Sequence, residues 1–522
     1  MSGPPADGGA LGRQIAWNSL LGYAARLISI VGWTVVTPWL LHALGAQRFG
    51  LWSLLTVISG MYLTFDFGLQ GGVTKFVAEL RAARKPEELR ATIGMALVLY
   101  TVLSLGGLLI VSFGRDGVVG FFRIAPALRS EAGRALLGAG FAYALLNYSQ
   151  LGGGLLAGLH RLDLWNRISI GVTLVQLGAI VVVIRSGGGV PSLLVVSGGA
   201  TLLSAAACAW VVHRIAPGTS PALAGWSRDR WRSLTRYSAA LQIINAGLLV
   251  QFQLDKVLFG RFVGLAAVAH YELAYRVALS FWSIPALLLP PLLPAIAHLD
   301  ALGDRERIAR LYRRATRYVL ASALPLAAGL VALSRPLFAA WLGHPEPEAA
   351  RACAVLGVLL SVNILTGVTS AIVRGVGRPG LEAEYFVVAT LVHVPLSLWL
   401  VPRLGFDGGL VALLVSGVIG SGVFIVRSHR FLREPLAPFL TRLALPPFAV
   451  SAVFATGGGA LAAAMLVGGP ASRLRFLGAL AAGAAILAVG AGGALVAGRY
   501  VEPRELLDLL RRRPAGVEAA GL

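Results

Sequence analysis

Fourteen apolar runs, each of roughly twenty residues and set apart by short polar loops, constrain this 522-residue chain more than any other feature. They lie near 17–41, 50–70, 91–113, 135–158, 167–184, 191–212, 237–259, 266–295, 316–334, 351–373, 384–401, 408–426, 445–467 and 476–498. Hydrocarbon offers a peptide group no water to bond, so runs of this length must close their hydrogen bonds internally as helices. Charged residues make up 13% of the chain against about 25% in soluble domains, too few to cover a water-facing surface. The sequence therefore predicts an all-α polytopic membrane protein with about 14 transmembrane helices.

Lysine and arginine in the loops set the orientation. With the N-terminus inside, the inner segments hold KFVAELRAARKPEELR, HRLDLWNR, the Arg228/Arg230/Arg232/Arg236 loop, RERIARLYRRATR, RSHRFLR and RELLDLLRRRP. That places about 30 basic residues inside against about 13 outside, with both termini cytoplasmic. The loop carrying Arg115, Arg123, Arg129 and Arg134 runs against this assignment. Trp17, Trp39, Trp52, Trp165 and Trp399 fall near predicted interfaces, where indole rings favour the headgroup level. The net charge of +21 is scattered in short clusters, which points to anionic membrane lipid as a partner and away from nucleic acid. The opening MSGPPADGGALGRQIA lacks the pattern of a cleaved signal, so the first helix is expected to remain. Cys208 and Cys353 match no ligand or disulfide spacing and are expected to be packing residues.

A repeat runs through the chain. Gly45 of LHALGAQRFGLWSLL meets Gly264 of GRFVGLAAVAHYELA at an offset of 219, which also sets Val77, Ala78 and Leu80 on Ile296, Ala297 and Leu299. Gly158 meets Gly375 at 217. Span one thus falls on span seven, an even displacement that keeps both copies in one orientation, so the repeat is parallel. The organisation expected is a tail (1–16), a six-helix bundle (17–213), a basic linker (214–236), a second six-helix bundle (237–430), two additional helices (431–498) and a basic tail (499–522).

The segment LGAQRFGLWSLLTVISGMYLTFDFGLQGGVTKFVAE resembles the first two helices of bacterial polysaccharide (O-antigen) flippases, in the multidrug/oligosaccharidyl-lipid/polysaccharide exporter superfamily. The features are the glycine pair around Phe49, Trp52, and Asp66 to Leu69 followed by Lys75. In the second half they are Asp255 and Lys256 ahead of GRFVGLAAVAHYELA, and the proline-bearing PALLLPPLLP. The resemblance spans roughly residues 12 to 435. It implies a flippase of the bacterial inner membrane that moves lipid-linked oligosaccharide, most often undecaprenyl-diphosphate-linked, to the outer leaflet by alternating access. A polysaccharide-synthesis complex is a further partner it implies.

Polar residues inside spans are the candidates for substrate and ion contact. Arg26 lies about 13 Å deep in span one, and Asp66 lies at a similar depth on the return helix. Three readings of Arg26 stand: an ion pair with Asp66, contact with a substrate phosphate, or snorkelling toward the inner interface. Glu272 and Arg276 are spaced as a helical ion pair, either self-neutralising near the outer interface or serving as an ion site and a cavity cation. His393, beside Pro395, is either a hydrogen-bonded structural residue or a proton relay. Asp255 beside Lys256 marks the outer end of span seven or binds a coupling cation. Asn147, Gln150, Gln176, Gln242, Asn245, Gln251, Gln253 and Asn363 are mid-span neutral groups suited either to sugar hydroxyls or to neighbouring helices. Asn147, Gln150, Gln242, Asn245 and Asn363 join Arg26 and Arg276 as substrate-binding candidates; Asp66, Glu272, Asp255 and His393 are the ion-coupling candidates.

No cofactor is expected, and coupling to protons or sodium is left open. The chain shows no P-loop, no HExxH or CxxC spacing and no nucleotide fingerprint, and its outer loops concentrate no catalytic carboxylates. A membrane glycosyltransferase, ligase or polymerase is therefore the weaker reading. Closer rivals are a cation-coupled multidrug exporter and a peptidoglycan-precursor flippase. Balanced buried charge, Arg26 against Asp66 and Arg276 against Glu272, leans toward an anionic substrate.

Overall fold

The computed structural model describes residues 8–64, 69–222, 227–286, 288–289, 292–378, 380–467 and 472–502. Among them the only regular structure is helical. In order come α1 (Gly8–Thr64), α2 (Leu69–Ala82), α3 (Pro86–Phe121), α4 (Pro126–Gly158), α5 (Leu162–Arg185), α6 (Val190–Ile215), α7 (Arg228–Phe262) and α8 (Leu265–Ala286). They are followed by α9 (Leu292–Ala301), α10 (Arg305–Leu342), α11 (Pro347–Gly375), α12 (Gly380–Leu404) and α13 (Phe406–Leu432). Last come α14 (Leu436–Leu466) and α15 (Arg473–Ala497), each with a π-helical turn, at Phe439–Ala444 and Ile486–Ala491. Ten stretches among the described residues are long and apolar enough to cross a bilayer. Their apolar side chains also face outward, as lipid permits: Val102, Leu105, Leu109, Ile110 and Phe113 form an exposed stripe on α3.

Two compact units divide the chain, the first reaching Leu249 and including Gly264–Ala266, the second holding Val250–Val263 and the chain from Ala267 onward. The predicted parallel repeat is present in them turn by turn. α2 ends at Ala82 and α9 at Ala301, while α3 starts at Pro86 and α10 at Arg305, each pair 219 residues apart. Left-handed backbone recurs in register, at Gly45, Arg84, Arg123, His160 and Gly187 in one copy and at Gly264, Gly303, Gly343, Gly377 and Gly405 in the other. Spans one and two are joined without a loop: α1 continues through a kink at Gly45 (φ 71°, ψ 165°), a conformation that glycine adopts without strain. Each copy builds its own core from equivalent side chains. Val77, Leu89, Ile93, Leu151 and Leu155 pack together in the first unit, and Ile296, Ile308, Tyr312, Val368 and Ile372 in the second.

Both cores close on a glycine. A Cβ on Gly158 would lie 2.7 Å from the Val77 side chain, and one on Gly375 would lie 2.6 Å from that of Ile296. Gly375→Ala is therefore expected to cost about 1–3 kcal/mol by overpacking. Thermal unfolding in detergent checks this, and Ile296→Ala in the same chain should recover part of the loss. Cys208 and Cys353 are buried in helix contacts, as predicted. Trp52 packs inside the protein, being 3% exposed with its ring 5.6 Å from Phe49 and 5.9 Å from Trp33.

Candidate functional site

The second unit buries a connected set of charges on α7, α8, α12 and α13. Adjacent residues on a helix point about 100° apart, so Asp255 and Lys256 serve different neighbours. Lys256 turns toward α8, where its Nζ donates to Glu272 Oε2 at 2.5 Å. Arg276, one turn further along α8, donates from Nε to the other carboxylate oxygen at 2.5 Å. The side chains of Lys256, Glu272 and Arg276 are 3%, 9% and 22% exposed, so access to the triad rises toward Arg276. Tyr275 adds its ring face 4.9 Å from the Lys256 ammonium.

Asp255 turns toward α12. Its Oδ1 accepts from Ser397 Oγ at 3.3 Å and lies 3.4 Å from His393 Nε2. On the far side of the ring, His393 Nδ1 lies 3.2 Å from Ser416 Oγ of α13. Ser416 Oγ also lies 3.0 Å from the Leu413 carbonyl, so its one proton serves either that carbonyl or Nδ1, according to the tautomer of the ring. A proton on Nε2, in the neutral or the charged ring, makes the contact with Asp255 attractive. Asp255 Oδ2 has no hydrogen-bond partner among the described residues. With His393 neutral, the carboxylates of Asp255 and Glu272 balance Lys256 and Arg276 in charge.

A neutral layer continues from it. Gln251 Nε2 donates to Tyr385 OH at 2.9 Å, and Tyr385 OH and Ser421 Oγ donate to Asn363 Oδ1 at 3.1 and 2.9 Å. In the first unit Asn147 Nδ2 donates to Ser104 Oγ at 3.0 Å, and Gln176 Nε2 to Ser197 Oγ at 3.4 Å. Gln150 is half-buried while Asn147 is fully buried, so the two are not presented equally.

Of the predicted residues, the structure brings together Asp255, His393, Glu272 and Arg276, with Asn363 in the adjoining layer. Arg26 is exposed on α1, with no ion pair among the described residues. Asp66 lies outside the described residues, as do the side chains of Gln242 and Asn245. The repeat places Asn245 at the position equivalent to Arg26, 219 residues on. One expectation changes: Glu272 is not confined to a pair with Arg276, because Lys256 completes a triad. Asp255 and Lys256, near the end of α7 at Phe262, are 0% and 3% exposed. Lys256, Ser397 and Ser416 were the partners sequence reasoning missed; Ser397, four residues after His393, carried a helical-spacing signal. At the corresponding positions of the first unit stand Val36, Thr37, Ser53, Val57 and Gln176, so the ionised cluster belongs to one copy of the repeat.

The sequence matches the family described as polysaccharide biosynthesis protein over residues 11–299. A probable flippase, AglR of Haloferax volcanii, is 24% identical over 188 residues; the match covers 35% of this chain and 39% of that relative's length. Among solved structures, the Lipid II flippase MurJ in its inward closed conformation is similar with a TM-score of 0.70 at 13% identity, over 94% of this chain and 99% of that one. An inward-facing multidrug resistance MATE family transporter is similar with a TM-score of 0.65 at 13% identity, over 78% and 94%. At such identities these structures speak for the fold.

Proposed function

The chain belongs to the polysaccharide biosynthesis protein family, and on that premise we propose that it flips lipid-linked oligosaccharide across the bacterial inner membrane. The lipid carrier in this reading is undecaprenyl diphosphate, both termini are cytoplasmic, and the two units alternate access to the two leaflets. A transporter needs no reacting residues, only groups whose affinity for cargo differs between states. The observation that carries the proposal is the charge balance of the buried cluster. The Glu272 carboxylate is neutralised by two cations, Lys256 and Arg276, and the triad's most exposed member is Arg276, an arrangement suited to a diphosphate and poor for a cationic drug. Arg26, exposed on an apolar helix of the first unit, is a further candidate for anion contact. The Asp255–His393 pair carries the coupling proton.

A peptidoglycan-precursor flippase is the second reading, favoured by the likeness to the Lipid II flippase over nearly the whole chain. Titrating the protein in nanodiscs with undecaprenyl-diphosphate oligosaccharide, lipid II and a cationic drug separates the three. Binding read by thermal stabilisation should be strongest for the oligosaccharide lipid. Arg276→Ala and Arg26→Ala should each weaken it about tenfold or more, the worth of a charge-assisted hydrogen bond. Stabilisation by the drug alone, or undiminished binding in both variants, would refute the proposal.

A further inference from the structure

The repeat duplicates a brace at one end of each unit, and the two copies differ in chemistry. In the first unit Arg48, three residues past the Gly45 kink, donates from Nε to Glu131 Oε2 of α4 at 2.9 Å. The other oxygen of Glu131 accepts the Val190 N–H that opens α6, at 3.2 Å. Glu348 is the equivalent of Glu131, 217 residues on, in the first turn of α11. It is held through Nδ1 of His270, six residues past Gly264 and so one turn deeper on α8 than Arg48 is on α1. His270 Nε2 also lies 3.3 Å from Glu346, the residue that caps α11. One brace is closed by a guanidinium that never titrates, the other by an imidazole, which can take up and release a proton.

We infer that His270, Glu346 and Glu348 form a proton-binding clasp that fastens α8 to the α10–α11 turn in acid and releases it as the pH rises. The surroundings leave the histidine in control. On the turn and in the first turns of α11 the charged or basic groups are His344, whose Nδ1 lies 3.5 Å from Glu346, the two glutamates, and Arg351, which Asp407 of α13 holds at 3.3 Å. On α8 itself Glu272 is committed to Lys256 and Arg276. The hydrogen bond from His270 is the largest influence on Glu346 and holds its carboxyl below the usual value. A depressed carboxyl contributes above its unfolded value and fails only as the pH falls through its folded one, so Glu346 stays ionised while the imidazole changes charge. The clasp is thus charged on both sides in mild acid and loses its positive half in alkali. By the loop assignment this end faces outward, where the pH of the surroundings, not of the cytoplasm, governs it.

Hydrogen–deuterium exchange of the full-length protein in nanodiscs, with no lipid substrate added, tests the clasp at about pH 5.5 and about pH 9, below and well above the ordinary imidazole value. After correction for the intrinsic rate, amides of residues 265–272 and 343–349 should exchange about fivefold more slowly in acid, while the Arg48–Glu131 region shows no such change. His270→Arg should protect these amides at both pH values, and His270→Gln should leave them equally unprotected at both. Equal wild-type exchange at the two pH values, or a pH response that survives His270→Gln, would overturn the clasp. Because no substrate is present, either result leaves the reading of cargo standing.

Discussion

Glu272→Gln is expected to be the most destabilising single exchange in the second unit, at about 3–5 kcal/mol, because it strands the buried Lys256 ammonium without its counter-charge. Glutamine keeps the shape, so packing loss contributes little and the effect isolates charge. Arg276, at 22% exposure, can draw on solvent, but Lys256 at 3% cannot. Adding Lys256→Met to Glu272→Gln should therefore return most of the lost stability, since a buried pair removed whole costs far less than half of one. Chemical unfolding in detergent micelles, scored by the retained helical signal, measures both. A single exchange costing under about 1 kcal/mol, or a double exchange that is simply additive, would mean the triad is not coupled.

Replacing His393 with asparagine should separate coupling from folding. Asparagine retains a donor for Ser416 and fills part of the ring volume, so the protein should insert and remain monodisperse. What it cannot hold is the coupling proton proposed for the ring and Asp255. Under the proposed coupling, a pH gradient drives wild-type transport and has no effect on the variant, a loss of tenfold or more in gradient-driven accumulation by ordinary proton-coupling logic. Passive exchange at equal pH should persist. A variant that still responds to the gradient as wild type does would return His393 to a structural role.

Much of this fold could be read from the sequence because its signals are local and repeated. Span length follows from hydrocarbon thickness, and the offset between copies was visible in glycines because turns demand left-handed backbone at fixed places. Gly158 and Gly375 marked the same close packing twice. The buried cluster was legible only in part. Glu272 and Arg276 announce themselves by helical spacing, but nothing local says that Lys256 meets Glu272, sixteen residues away across a turn, or that Asp255 meets His393 on α12. Such pairings depend on how helices pack, and apolar neighbours that vary freely carry no record of them. The same limit hid the burial of Asp255 and Lys256, a charge pair near a span end whose neighbours the sequence does not name. Arg26 is a cation presented from an apolar helix, and its expected partner Asp66 lies outside the described residues.

Transport itself is the most direct test. The protein, reconstituted into proteoliposomes with a fluorescent undecaprenyl-diphosphate oligosaccharide, is followed with an impermeant lectin or glycosidase that reports only the lipid in the outer leaflet. The account predicts rapid protein-dependent exposure of the sugar, accelerated by a pH gradient and lost in Arg276→Ala. No exposure beyond that of protein-free vesicles, from folded protein offered several glycans under imposed proton and sodium gradients, would contradict it.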